Sequence, residues 1–388
     1  MTTYFIATGG TGGHIIPARC IAKSLSITDR VFILSDKKYK NFIKVDDNFR
    51  SIIINSSQLK KGFINIIKLM ILLFLGIFQS LFYIIKYRPK TIISFGGYAT
   101  FPILSAAIIT RRKIIIHEQN AHLGKVNRIF AKYADIIALT FDNTDGIQKK
   151  FANKTFVTGS PVRKEILELN NYPYKLPIHN EEIEDKKMGY ENIILASEFD
   201  EIDNSINNKN LFNILIIGGS GGAKIFSEIL PRAFFNLSEE IKNDLHITQQ
   251  CRMDLVKETF EEYKNFNLNV EIESFFEDIA EKIKKSHLII ARSGSSSIAE
   301  FCIAKKPMIL VPFALSADNH QLKNARIVEE SGAAIVIEEK DFTINEISKT
   351  ISKLIKNKEI LLKMSQQSSK ISKIDAENRL MNIIKNDK

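Results

Sequence analysis

The segment Thr8-Gly9-Gly10-Thr11-Gly12-Gly13-His14-Ile15-Ile16-Pro17 decides the fold. An apolar, strand-forming run (Tyr4–Ala7) enters it and a helical pattern (Ala18–Leu25) leaves it. Glycine is favoured where backbone takes positive φ or lies against a ligand. A helix that starts there points free N–H groups and the positive end of its dipole at whatever sits above the turn. A glycine-rich turn without a ligand gives the same local signal, so the recurrence carries the weight. Leu215-Ile216-Ile217 runs into Gly218-Gly219-Ser220-Gly221-Gly222, again strand, GG[T/S]GG, helix. Two copies half a chain apart predict two similarly built α/β domains facing each other. Neither copy is a dinucleotide fingerprint, because Ile15 and Lys224 stand where Gly or Ala is required. A Walker loop is excluded by Ala223 and Ile225. The expected ligand is a nucleotide or sugar that is not obviously NAD or ATP.

A chain of 388 residues accommodates two domains, each with its own core. The net charge of +10 suits nucleic acid, an anionic membrane or a phosphate-bearing substrate. No basic helix interleaved with aromatics is visible, which argues against nucleic acid. Cys20, Cys251 and Cys302 are scattered without metal-ligand spacing, and the chain has no HExxH and no DxD pair closing a strand. Reduced thiols, no metal and no cofactor are expected. Met1 leads straight into a strand, so the expectation is a cytoplasmic chain without a signal peptide.

Strand-like runs recur at Val31–Leu34, Ile52–Ile54, Thr91–Phe95, Lys113–His117, Ile136–Leu139 and Thr155–Val157, separated by helix-compatible sequence. That is the βαβ rhythm of a parallel sheet. A second series follows at Phe212–Ile217, His246–Gln249, Val270–Ile272, Leu288–Ala291, Met308–Val311 and Ala334–Ile337. Ligands collect at the carboxyl ends of such strands, which makes Phe95–Tyr98 and His117–Asn120 candidate site loops. Between the two series, Tyr172–Asn210 turns acidic and Asn/Lys-rich and reads as a linker with a mobile insertion. The Lys/Glu/Ser-rich helical sequence from Ile344 is expected to pack back across the domain junction.

Phe63–Ile85 holds almost nothing polar, and at ~1.5 Å per residue it is long enough to cross a bilayer. A span would put two neighbouring strands on opposite sides of the membrane, whereas a crossover helix must return to its own sheet. Asn65, Lys68, Gln79, Tyr83 and Lys86 fall on one narrow stripe at ~100° per residue, leaving an apolar surface wider than a sheet-facing side requires. Lys60, Lys61, Lys86, Arg88 and Lys90 flank it. The alternatives are a helix resting on anionic lipid and a deeply buried crossover helix, and the lysines favour the first.

The densest polar cluster is Arg292-Ser293-Gly294-Ser295-Ser296-Ser297-Ile298-Ala299-Glu300. Its hydroxyls and helix N–H groups form a seat for a diphosphate, and Glu300 suits ribose hydroxyls. Ser-x-x-Glu is equally a capping box. His14, set in a glycine turn at the mouth of the first domain, is placed to face a substrate and to take a proton near neutral pH. A phosphate-orienting or structural role is the alternative.

Taken in order, Thr8–His14, Gly96-Gly97-Tyr98, His117-Glu118-Gln119-Asn120, Gly159-Ser160-Pro161-Val162-Arg163, Gly218-Gly219-Ser220, Arg292-Ser293-Gly294 and Asp318-Asn319-His320-Gln321 resemble the peptidoglycan N-acetylglucosaminyltransferases of glycosyltransferase family 28 over nearly the whole chain. The resemblance implies a GT-B α/β fold, two Rossmann-like doubly wound domains with a cleft between them. It divides the chain into an acceptor- and membrane-facing domain (1–163), a linker (164–210), a UDP-sugar-binding domain (211–365) and a C-terminal helix (366–388). It implies transfer of N-acetylglucosamine from UDP-N-acetylglucosamine to lipid I, the undecaprenyl-linked acceptor, with inversion, giving lipid II at the cytoplasmic face of the membrane. Thr11, Gly12, Gly13, Asn120, Arg163, Ser220, Phe276, Ser295, Ser296, Ser297, Glu300 and Gln321 would touch the donor. Tyr98, His117 and Glu118 would lie on the acceptor side, with His14 as the base. Gly221 stands where the family usually has Gln, which puts one donor contact in question. Other readings are a different GT-B UDP-sugar transferase with a lipid acceptor, and a non-catalytic UDP-sugar-binding module at the membrane.

Overall fold

The structure is a computed structural model and describes residues 1–10, 12–43, 47–56, 63–177, 211–219 and 221–386. Thr11, Ser220, Lys60, Lys61 and most of the expected linker insertion lie outside the described residues.

Among the described residues, thirteen strands form two sheets. The first holds β1 (Thr3–Ala7), β2 (Arg30–Ser35), β3 (Arg50–Ile53), β4 (Thr91–Ser94), β5 (Lys113–Glu118), β6 (Ile136–Leu139) and β7 (Thr155–Val157), in the order β3-β2-β1-β4-β5-β6-β7. The second holds β8 (Phe212–Ile217), β9 (Leu245–Gln250), β10 (Val270–Glu273), β11 (Leu288–Ala291), β12 (Met308–Leu310) and β13 (Ala334–Val336), in the order β10-β9-β8-β11-β12-β13. Every pairing between these strands is parallel. All thirteen strands coincide with apolar runs read from the sequence. The runs are continuous because both faces are covered: in β1, Phe5 and Ala7 enter one core while Tyr4 and Ile6 enter the other. Likewise Phe212, Ile214 and Ile216 of β8 pack to one side and Leu215 to the other.

Chain order reverses between β1 and β4 and again between β8 and β11, and the crevice of a doubly wound sheet opens at such a point. The loops after β1 and β4 touch backbone to backbone. Gly9 N–H donates to Gly96 O at 2.8 Å, and a Cβ on Gly97 (φ +89°) would lie 2.6 Å from Gly9 Cα. A Cβ on Gly10 would meet the Asp36 carboxylate. These three glycines are therefore required by packing between loops, whereas a Cβ on Gly13 would meet nothing within 4 Å.

The two halves exchange segments. Val162, Ile166 and Leu169 are buried in the second domain's core, with Tyr174 and Leu176 packed against it. This first part of the expected linker is thus packed structure rather than spacer. In return, Leu380 and Ile384 of the last helix (Ala376–Lys385) sit in the first domain's core.

The helix Phe63–Tyr87 joins β3 to β4 and packs on the helix Thr100–Ile109. Gly76 allows the approach, since a Cβ there would lie 2.1 Å from Asn55 O and 3.0 Å from the Pro102 ring. On the narrow polar stripe, Gln79 accepts from Asn55 N–H at 2.9 Å and Tyr83 packs against the core. What faces outward is apolar: Met70, Phe74, Phe78, Phe82 and Ile85 are each more than half exposed. The segment Ile67–Tyr87 is long and apolar enough to cross a membrane, yet both strands it joins belong to one sheet. A deeply buried crossover helix is ruled out by this exposure.

Candidate active site

The site is built where the two switch points face each other. His14 sits in the first turn of the helix Gly12–Leu25, which starts directly after the β1 loop. Its Nδ1 is 2.7 Å from Gln119 Oε1. Behind Gln119, the His117 ring is fully buried, 2.9 Å from Gln119 Nε2 on one side and 2.9 Å from the Gly159 carbonyl on the other. Phe95 packs on that ring at 5.1 Å between centroids. Burial pushes the His117 imidazole down to about 4, so it is neutral at physiological pH.

Glu118 is 1% exposed, and its carboxylate accepts from Asn120 N–H and Nδ2, Gly124 N–H and Asn127 Nδ2 at 2.8–3.2 Å. Four donors saturate a carboxylate. The expectation that His117 and Glu118 meet the acceptor is corrected here: buried groups with their polar atoms engaged leave no surface for it. They shape the loop that carries Asn120. Tyr98, in the loop after β4, is 40% exposed and remains available on that side.

Among the contacts that join the second domain to the first, three bear on the cleft. Ser296 Oγ donates to Gly13 O at 2.8 Å, joining the first turns of two helices, Gly12–Leu25 and Ser295–Ile303. Asn324 is completely buried; it accepts from Ala121 N–H at 2.8 Å and donates to Asn120 Oδ1 and Ser293 O. Arg163 forms a two-pronged ion pair with Glu300. Two helix N-termini and a guanidinium thus converge on one region, an arrangement suited to anionic oxygens.

Ser295 and Ser296 are buried and Ser297 half-buried. Gln321 is half-buried, its Oε1 accepting from Phe313 N–H at 3.0 Å, while Ser293 Oγ donates to Gln321 O. Gly13 and Gly221 each have open space where a Cβ would stand. Gly12, next to Gly13 in the chain, is half-buried. Phe276 is the exception among the expected donor contacts. Its ring is 4% exposed inside the second domain's core, so the side chain is structural. Arg292 is also internal, bound to Val311 O and to Glu339 and stacked over Phe226 and Phe313.

The N-terminal domain of glycosyltransferase family 28 matches residues 4–139 and its C-terminal domain matches residues 213–380. The chain belongs to glycosyltransferase family 28. Among similar proteins, the UDP-N-acetylglucosamine--N-acetylmuramyl-(pentapeptide) pyrophosphoryl-undecaprenol N-acetylglucosamine transferase of Zymomonas mobilis is 31% identical over 382 residues, covering 98% of this chain and 91% of the relative. The Rickettsia bellii protein of the same name is 33% identical over 364 residues, covering 93% of each. The crystal structure of Acinetobacter baumannii MurG superimposes with a TM-score of 0.72 at 24% identity, covering 99% of both chains. The fold is therefore GT-B, and this family 28 member is a glycosyltransferase, which sets aside the non-catalytic module.

Two residues of this cleft are not singled out by the sequence. Asn324 lies three positions after Gln321, on the same helix face, and that spacing was the available signal. Gln119 was quoted within its motif without a role, because only the fold brings it to His14, 105 positions away.

Proposed function

We propose that the chain moves N-acetylglucosamine from UDP-N-acetylglucosamine to the muramyl hydroxyl of the pentapeptide-bearing undecaprenyl pyrophosphate acceptor, forming lipid II. The observation that supports this most is the near full-length similarity to relatives named for that reaction. His14 is the base. It takes the acceptor hydroxyl proton as the new bond to the anomeric carbon forms and the bond to UDP breaks, so positive charge gathers on the sugar ring and negative charge on the diphosphate. The N-terminal turn of Ser295–Ile303 and Arg163 receive that negative charge, where preorganised donors lower the barrier most. Glu300 then exchanges its partner Arg163 for the ribose hydroxyls. Attack from the side opposite the leaving group gives inversion.

The exposed apolar ridge Met70-Phe74-Phe78-Phe82-Ile85 rests on the cytoplasmic face of the membrane as a peripheral contact. Docking there raises the effective concentration of a lipid-anchored acceptor, and the +10 charge adds attraction to anionic lipid. The deciding experiment is transfer of labelled N-acetylglucosamine from its UDP conjugate to lipid I in detergent. Product of lipid II mobility is expected. Donor binding without product would move the reading to another lipid acceptor.

A further inference from the structure

Behind the cleft, three side chains and one carbonyl stand in file. His14 Nδ1 is 2.7 Å from Gln119 Oε1; Gln119 Nε2 is 2.9 Å from His117 Nδ1 and 3.0 Å from His117 O; His117 Nε2 is 2.9 Å from Gly159 O. The proton positions follow link by link. A carbonyl oxygen only accepts, so His117 Nε2 carries a proton. The ring is buried and neutral, which leaves Nδ1 as a lone-pair acceptor. The Gln119 amide nitrogen must therefore face it, and the His117 carbonyl beside that nitrogen excludes the flipped amide. The Gln119 oxygen is then turned to His14, where only a protonated Nδ1 can make the contact.

We propose that Gln119, anchored through His117 to the Gly159 carbonyl, is the positioning residue that holds neutral His14 as the Nδ1–H tautomer and so leaves Nε2 unprotonated as its basic atom. Among the described residues Nε2 has no hydrogen-bond partner, and His14 is only half-buried. Which imidazole nitrogen is protonated is set by the bond the other one makes. Gln119 and His117 are both at 0% exposure, so the file is held by packing and shielded from water that would compete for its bonds. The consequence for rate rests on the reading of His14 as base; the tautomer stands without it.

The test is ring-nitrogen NMR of the full-length protein with labelled histidine at about pH 8, above the ordinary imidazole range, with the His14 signals identified by their loss in His14→Gln. The wild type is expected to show a protonated Nδ1 and an unprotonated Nε2 on His14. In Gln119→Met the proton should move to Nε2, with kcat falling about ten- to a hundredfold and the KM for UDP-N-acetylglucosamine staying within about twofold. A protonated Nε2 on neutral wild-type His14 overturns the proposal, whether or not Gln119→Met folds. So does a Gln119→Met protein that keeps the wild-type tautomer. Undiminished transfer by His14→Gln would instead remove the base assignment and leave the tautomer result intact.

Discussion

Arg163 donates from Nε and Nη2 to the two oxygens of Glu300 at 2.8 and 2.7 Å, so two residues expected to touch the donor grip each other. The pair spans 137 positions and joins a loop of the first domain to a helix of the second. Glu300 is 5% exposed at its side chain and Arg163 34%, so the acid is held in place and the guanidinium has room to swing. If both residues hold the donor as proposed, its binding breaks one charged fork and makes another, and the fork geometry matters. Arg163→Lys should lower kcat/KM for UDP-N-acetylglucosamine about ten- to a hundredfold, because an ammonium cannot reproduce the two-pronged contact. Glu300→Gln should raise donor KM more than it lowers kcat. Steady-state kinetics with varied donor checks both, and a variant with wild-type kcat/KM would separate the pair from donor binding.

Removing the base should act on turnover. His14→Ala is expected to reduce kcat by about 10²–10⁴ while the donor dissociation constant, read by calorimetry, stays near the wild-type value. Unreduced transfer would return His14 to a structural role.

Membrane contact should depend chiefly on the apolar ridge. Phe74, Phe78 and Phe82 are 55–62% exposed, so changing all three to Ser should leave thermal stability nearly unchanged. Co-sedimentation with anionic vesicles should fall at least tenfold, and transfer to a detergent-solubilised acceptor should persist. Unchanged vesicle binding by the folded variant would remove the docking role from this helix.

Glycines with different duties should fail differently. Gly97→Ala adds a Cβ 2.6 Å from Gly9 Cα at a φ of +89°, and a loss of more than about 2 kcal/mol is expected in denaturant unfolding. Gly13→Ala meets no atom within 4 Å, so stability should hold and any loss should show in donor affinity.

Acid should weaken the fold through two desolvated imidazoles, the buried His117 and the partly buried His287. Burial lowers His117 and His287 from the ordinary 6.5 to about 4. The unfolded chain therefore binds protons first, and stability falls as pH drops from 6.5 towards 4. Each histidine contributes on the order of 3 kcal/mol across that window. Denaturant unfolding at stepped pH measures the slope, and replacing His287 by Gln should flatten it.

The sequence by itself determined the architecture. Apolar runs such as Tyr4–Ala7 and Leu288–Ala291 are strands because both faces of a parallel sheet are buried, and the recurring GG[T/S]GG turns mark where each sheet begins. It also determined the surplus apolar surface of Phe63–Tyr87, since periodicity alone shows a face too wide for one neighbour. Tertiary structure decided what local pattern cannot hold: that Gly9 and Gly97 are small for each other, that Glu118 turns inward to four donors, and that Phe276 is core. It also decided that Arg163 meets Glu300 and Gln119 meets His14. Periodicity and turn chemistry act over a few residues, whereas Gly9 and Gly97, His14 and Gln119, and Arg163 and Glu300 lie about a hundred positions apart; the first two pairs meet where one sheet brings its carboxyl ends together, and the third only where the two domains face each other.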